Sequence, residues 1–318
     1  MKKAKKVGLG QNNPKSKLFY TLLVIVPIAQ FIIFWVYVNF NSILLSFKVF
    51  DNDAVTSNDF HFGIKNFLHW FSKDHHIATP GRYSKDNLLP ALAMTMKSYL
   101  IGNVVGLPLG LFFSYYMFKK MPGAGAFRIL LFMPSIISAA PLSIIYKEIT
   151  YNMIGSTPGN PGWLDFEFWK MDHSHDFFSL TIFNLFISFG TSVLMYTNKM
   201  DGIAPEIIES AHLDGANGIR EFWYIVLPQT FAIIQVFLIT GFAGTFTNQH
   251  NAFMIFEWDP PKEVLSLGML LWNGVRRGGE SAWNLAPYAA LGLIITVIVV
   301  PLTFLFRWLL DKYGWKEE

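Results

Sequence analysis

The sequence predicts an all-α integral membrane protein with six transmembrane helices and both termini on the cytoplasmic side. Three observations carry that reading. Hydrophobic residues make up 52% of the 318 and charged residues only 15%, where soluble globular proteins carry roughly 25%. So little charge does not cover a soluble surface of this size, and the mean hydropathy of +0.35 agrees. Long stretches with almost no charge recur six times, and Lys and Arg gather in alternate loops. The composition excludes intrinsic disorder and a nucleic-acid partner. The absence of cysteine excludes disulfides, thiolate metal sites and cysteine nucleophiles.

The stretches are Leu18–Phe47, Leu88–Phe118 interrupted only by Lys97, Ile129–Tyr146, Phe177–Asn198, Phe222–Phe256 and Ser281–Phe306. About 20 apolar helical residues cross a hydrocarbon core of about 30 Å, and the shortest stretch, the third, has 18. A buried helix of a soluble protein explains one such stretch but not six. The first follows the basic Lys2-Lys3-Ala4-Lys5-Lys6, as a secretory signal does. Its apolar run is too long for a signal, however, and Trp35, Tyr37 and Asn39 stand where small cleavage-site residues belong. It reads as a retained span. With the N-terminus inside, the inside segments hold 14 Lys and Arg in 63 residues and the outside segments 10 in 118, which is the positive-inside bias. The outside loops carry Trp70, Trp163 and Trp169, either as an interfacial aromatic belt or as a docking surface for an external partner. Pro108, Pro134, Pro141 and Pro301 lie within spans and predict kinks.

Much familiar chemistry is missing. There is no glycine-rich phosphate loop, and the pairs His75-His76 and His173/His175 stand at short spacings without a pattern of nearby carboxylates. Solvated loop histidines are the simpler reading, and no metal site is expected. Lys97 is the one ionisable residue within a span, near its outer end, where it can snorkel. No span interior holds Asp or Glu, which argues against an ion-coupled carrier and a voltage sensor.

The informative segment lies in the cytoplasmic loop 199–222. Pro205 suits the first turn of a helix. Ile207, Ile208 and Ala211 share one face, Glu206 and Glu209 another, and Gly215 stands where a left-handed turn ends a helix. A second short helix leads through Phe222 to Leu227-Pro228. An amphipathic helix lying on lipid headgroups is the plain alternative, made less attractive by two carboxylates facing an anionic leaflet.

Glu209-Ser210-Ala211, three residues, Gly215, nine residues, then Ile225-Val226-Leu227-Pro228 resembles the EAA motif of binding-protein-dependent ABC importer permeases. Asp214-Gly215-Ala216 and Phe222 also match the carbohydrate branch, which contains the maltose permease. Ser210 replaces the middle alanine, a small-for-small change. The six-span layout and Pro287-Tyr288-Ala289-Ala290 at the sixth span extend the likeness.

The resemblance implies an ABC type I importer permease fold, with 1–318 one transmembrane permease domain in the bacterial cytoplasmic (inner) membrane. It implies a transport subunit and not an enzyme. A second permease pairs with it in the lipid bilayer, two cytoplasmic ATPase subunits dock beneath, and an extracellular or periplasmic solute-binding protein delivers a sugar. ATP and Mg would sit on the ATPase subunits, with no cofactor in this chain. The helix with Ile207, Ile208, Glu209, Ala211 and Gly215 would be the coupling helix, Glu209 pairing with an arginine on the ATPase.

In the maltose-type permease, sugar contacts fall 25 positions before and 39 after the motif glutamate, which here are Asn184 and Asn248; other contact positions fall on Ser188, Thr191, Gly241 and Gly244. The uncharged but amide- and hydroxyl-bearing spans, with Asn103, Gln235, Thr240 and Thr245, fit neutral-sugar chemistry. Interhelical hydrogen bonding is the plain alternative for each of these residues. Two other functions stay open: import of a non-sugar or anionic solute such as glycerol phosphate, for which only Lys97, Arg276 and Arg277 offer charge, and a membrane sensory or regulatory protein docking a cytoplasmic partner. Without a phosphate loop, the chain purified alone should neither bind nor hydrolyse ATP. A coupled-enzyme assay on preparations free of other subunits checks this, and any turnover above background contradicts it.

Overall fold

The computed structural model of the chain describes residues 14–50, 60–71, 87–154, 168–169, 173–257, 260–277 and 282–315. Lys2–Lys6, His75, His76 and Trp163 lie outside these. In chain order the helices are α1 (Pro14–Phe31), α2 (Tyr37–Phe47), α3 (Lys65–His69), α4 (Leu88–Phe118), α5 (Ala124–Ile136), α6 (Ala139–Glu148), α7 (Asp176–Asp201), α8 (Pro205–Leu213), α9 (Gly218–Glu221), α10 (Leu227–Thr245), α11 (Ala252–Phe256), α12 (Leu267–Arg277) and α13 (Ala282–Tyr313). One short antiparallel pair, β1 (Lys48–Phe50) and β2 (Phe60–Phe62), aligns Val49 with His61. Five helical stretches are long and apolar enough to cross a membrane, and a sixth is a bent pair.

Two compact units are formed. The first comprises residues 1–72 and 280–293. In it, α1 continues through a π-helical turn, Ile32–Val36, into α2. Every side chain from Leu18 to Ile43 is exposed, as suits an apolar helix whose solvent is hydrocarbon. Asn66 of α3 caps its end: its Nδ2 donates to Ser46 O (3.0 Å) and Lys48 O (2.8 Å). Trp70 is buried, donates through Nε1 to Pro287 O at 2.8 Å and meets Tyr288 edge-on. The loop tryptophan that the sequence left between belt and docking surface is therefore a packing residue.

The second unit comprises residues 73–279 and 294–318 and is organised on α4 and α7. Helices pack closely in lipid where small residues let backbones approach. Gly106 faces Leu185, Gly110 faces Tyr196, and a Cβ at Gly190 would overlap the Leu131 carbonyl of α5. Hydroxyls bridge the helices: Ser114 Oγ donates toward Val193 O (3.0 Å) and Tyr99 OH to Leu238 O (3.0 Å). At one end Leu111, Tyr196, Met200, Ile203, Val226, Leu227, Phe231 and Ile234 form a buried cluster.

The third stretch departs from a single straight span. α5 and the helix starting at Ala139 meet at 104°, with Ile137 (φ −79°, ψ 141°) and Ser138 (φ −58°, ψ 141°) extended. Pro141 accounts for the break. A continued helix would need its missing N–H to bond Ile137 O, and its ring would strike that carbonyl. Placed instead in the first turn after Ser138, it has no bond to lose. Pro108 and Pro301 leave α4 and α13 continuous. The fifth stretch ends as a helix at Thr245, not Phe256, and α12 is an unforeseen helix in the following loop.

Gly190→Ala is expected to destabilise the chain by about 1–3 kcal/mol, because the obstacle is backbone. Gly102→Ala, where a Cβ meets nothing within 4 Å, should leave the melting midpoint in detergent unchanged or slightly raised. Thermal melts of both variants check the contrast.

Candidate functional site: a polar cavity and a cytoplasmic helix

A cavity of about 540 Å³ lies between α4, α7 and α10 and the turn after α10. Asn103, Asn184, Ser188, Ser192, Thr240, Asn248, His250 and Asn251 supply polar groups, and Tyr99, Phe189, Tyr196 and Phe237 supply rings. No Asp, Glu, Lys or Arg lines it among the described residues. Burial pushes the His250 imidazole below its usual range, against a weaker opposing hydrogen bond at Thr245. Lys97 sits instead over the Phe177 ring at 4.1 Å and Arg276 over Trp272 at 5.6 Å. A second cavity, of about 730 Å³, is larger but lined by Leu, Pro, Phe and Trp residues such as Leu111, Phe222 and Trp315, and offers little for a polar solute.

Five of the six residues expected at the solute are brought together here: Asn184, Ser188, Gly241, Gly244 and Asn248. Thr191 is a correction. It is exposed and does not line the cavity. The lining crosses α7 obliquely from Leu180 to Tyr196, and at that level Ser192 takes the position. Gly244 faces open space and Gly241 only touches Tyr99, so both leave volume. Gln235 lies off the cavity and bonds Asp311 on α13.

Asn184 is committed to the fold. Its Nδ2 donates to Leu180 O (2.9 Å) and His250 O (2.7 Å), and its Oδ1 accepts from Asn251 Nδ2 (2.7 Å). Both amide protons are used. The bonds to His250 and Asn251 hold a turn in which these two residues (φ 52° and φ 56°) both adopt left-handed backbone, a conformation that non-glycine residues adopt at a cost. Asn248 belongs to the same turn: its Oδ1 accepts from His250 N (2.7 Å) and its O from Ser266 Oγ (3.0 Å). Gly268 lets α12 press against Asn248, where a Cβ would meet the Asn248 backbone. Nothing in local sequence marked Ser266, Gly268 or Asn251.

At the other end, α8 begins at Pro205 after extended Ala204. It ends in a Schellman motif: Ala216 N donates to Ala211 O (2.9 Å), Gly215 N to His212 O (3.0 Å), and Gly215 has φ 79°. Asn217 then caps α9, its Oδ1 accepting from Arg220 N at 3.0 Å. Glu209 and Ile207 are exposed. Ala211 and Ile208 are corrections, because they face inward: Ala211 is buried and Ile208 packs on the Met200–Ile203–Val226 cluster. The apolar side of α8 is split, part seated on its own chain and part presented outward.

Residues 87–314 match the family described as the binding-protein-dependent transport system inner membrane component. The chain belongs to this family. It is accordingly a multi-pass inner-membrane transport component and not an enzyme. The permease protein MsmF of a multiple sugar-binding transport system, from Streptococcus mutans, is 23% identical over 284 residues, which is 87% of this chain and 91% of that protein. The alpha-glucoside transport permease protein AglF of Rhizobium meliloti is 29% identical over 55% of this chain and 53% of its own length. A chain of a bacterial ABC transporter for import of the acidic polysaccharide alginate superposes with a TM-score of 0.69 at 15% identity, covering 94% of this chain and 97% of that one. It shares the fold with this importer component.

Asn184→Ala removes one donor and one acceptor from the 246–251 turn. Amide exchange at Asn248–Ala252 should accelerate up to about tenfold, as expected for one hydrogen bond of 0.5–1.5 kcal/mol, and exchange at α8 should not change. Hydrogen–deuterium exchange of the membrane-reconstituted chain reads both segments at once.

Proposed function

We propose that this chain is the permease subunit of an ATP-driven importer for a sugar or oligosaccharide. The uncharged cavity carries the reading: amides and hydroxyls beside aromatic rings suit a polyhydroxylated neutral solute, which is held by hydrogen bonds and ring stacking. An anionic solute such as glycerol phosphate calls for cations, and no Lys or Arg among the described residues reaches the lining. The named sugar systems among the relatives support the class. A second permease completes the membrane part, two ATPase subunits bring ATP and Mg, and an external solute-binding protein delivers the sugar. Loop 199–222 faces the cytoplasm, and α8 docks in an ATPase cleft through Glu209 and Ile207.

Glu209 is exposed on this chain, so reversing its charge leaves the permease folded. Loss of an interfacial charge pair costs about 2–5 kcal/mol, so Glu209→Lys should lower ATPase retention on the permease by at least about tenfold. Glu206→Lys, one turn earlier, should retain more. A pull-down with the ATPase subunit compares them. Equal retention in wild type and Glu209→Lys would remove α8 as the coupling helix.

A further inference from the structure

Glu221 is fully buried, yet it is a carboxylate at the end of a four-residue helix. Its two oxygens are met from three directions. Lys119 Nζ lies 3.0 Å from both, His212 Nε2 lies 2.7 Å from Oε2, and Tyr115 OH donates to Oε1 at 3.2 Å. Tyr115 OH also lies 2.8 Å from Gly218 O. Lys119 and Tyr115 close the end of α4, His212 sits in the last turn of α8, and Glu221 leads through the π-helical Phe222–Val226 into α10. A buried carboxylate is tolerated when cations and donors satisfy it, and a missing partner leaves an uncompensated charge. Beyond this carboxylate, α8 is held by little: Ile208 and Ala211 are its inward side chains.

We propose that Glu221 is a positioning residue that clamps α8 to the end of α4, so that the two move as one body. The proposal rests on α8 being the ATPase-contacting helix. A push delivered at Glu209 would turn α8 about its two small apolar contacts if nothing else held it. The His212–Glu221–Lys119 chain closes that freedom and passes the displacement to α4 and α10, the helices that line the polar cavity. Transmission of this kind needs an element with a fixed arrangement that both sites act on.

The test uses His212, which is half-exposed and lies one turn after Glu209 on α8. The chain has no cysteine, so spin labels placed at Glu206→Cys on α8 and Met121→Cys beyond α4 are site-specific. In the permease–ATPase complex in nanodiscs, the label distance should be single and equal with and without ATP. His212→Ala should raise the undocked population about tenfold, seen as a second, longer distance. His212→Gln, whose amide nitrogen can take the place of Nε2, should restore the single distance. Retention of the ATPase should be as in wild type for both variants. An unchanged distance in His212→Ala, no rescue by His212→Gln, or loss of ATPase retention in His212→Ala would each overturn the clamp. Wild-type retention by Glu209→Lys would instead remove the coupling reading, and the label distance would still decide the clamp.

Discussion

A carboxylate without water needs every lone pair met, and Glu221 meets that demand by drawing Lys119, Tyr115 and His212 onto itself. The requirement is stringent because the side chain is fully buried. Three separate pieces of chain are thereby held together where a purely apolar contact would allow sliding. Hydrophobic packing is non-directional, whereas a bidentate ion pair with two further donors has one geometry. The end of α4, the last turn of α8 and the lead into α10 meet at this one side chain.

The opposite end of α10 solves a different problem with neutral groups. After Thr245 the chain must turn sharply, and it does so with two left-handed non-glycine residues, His250 and Asn251. Asn184, Asn248 and Ser266 supply the compensating hydrogen bonds. The cavity wall is built from side chains already engaged with each other. The Asn248 amide nitrogen has no partner among the described residues, and Gly244 leaves open space beside it.

The spans were legible because absence of charge over about 20 residues is a one-dimensional requirement, and α8 was legible because Pro205 and Gly215 mark its two ends. Local sequence could not show that Pro141 breaks a helix while Pro108 does not, since the outcome depends on whether Ile137 can turn extended within its packing. Nor could it show Glu221, whose partner Lys119 lies 102 residues away. Ile208 and Ala211 turn toward their own chain, which the sequence could not show, because one apolar stripe looks the same whether its own chain or another covers it. Thr191 fell to the oblique path of the cavity across α7, which sequence distance alone does not encode.

The 104° bend between the helices Ala124–Ile136 and Ala139–Tyr151 gives this protein an uneven belt. Each arm has 13 residues and reaches about 20 Å, short of a hydrocarbon core of about 30 Å. The 31 residues of α4 and 32 of α13 exceed it. Acyl chains beside the bend must shorten their reach or give way to a protein neighbour, while those beside α4 meet a surplus. Membrane thickness therefore enters the energetics of this fold unevenly: a thicker bilayer widens the shortfall at the Ile137–Ser138 corner while it takes up the surplus beside α4.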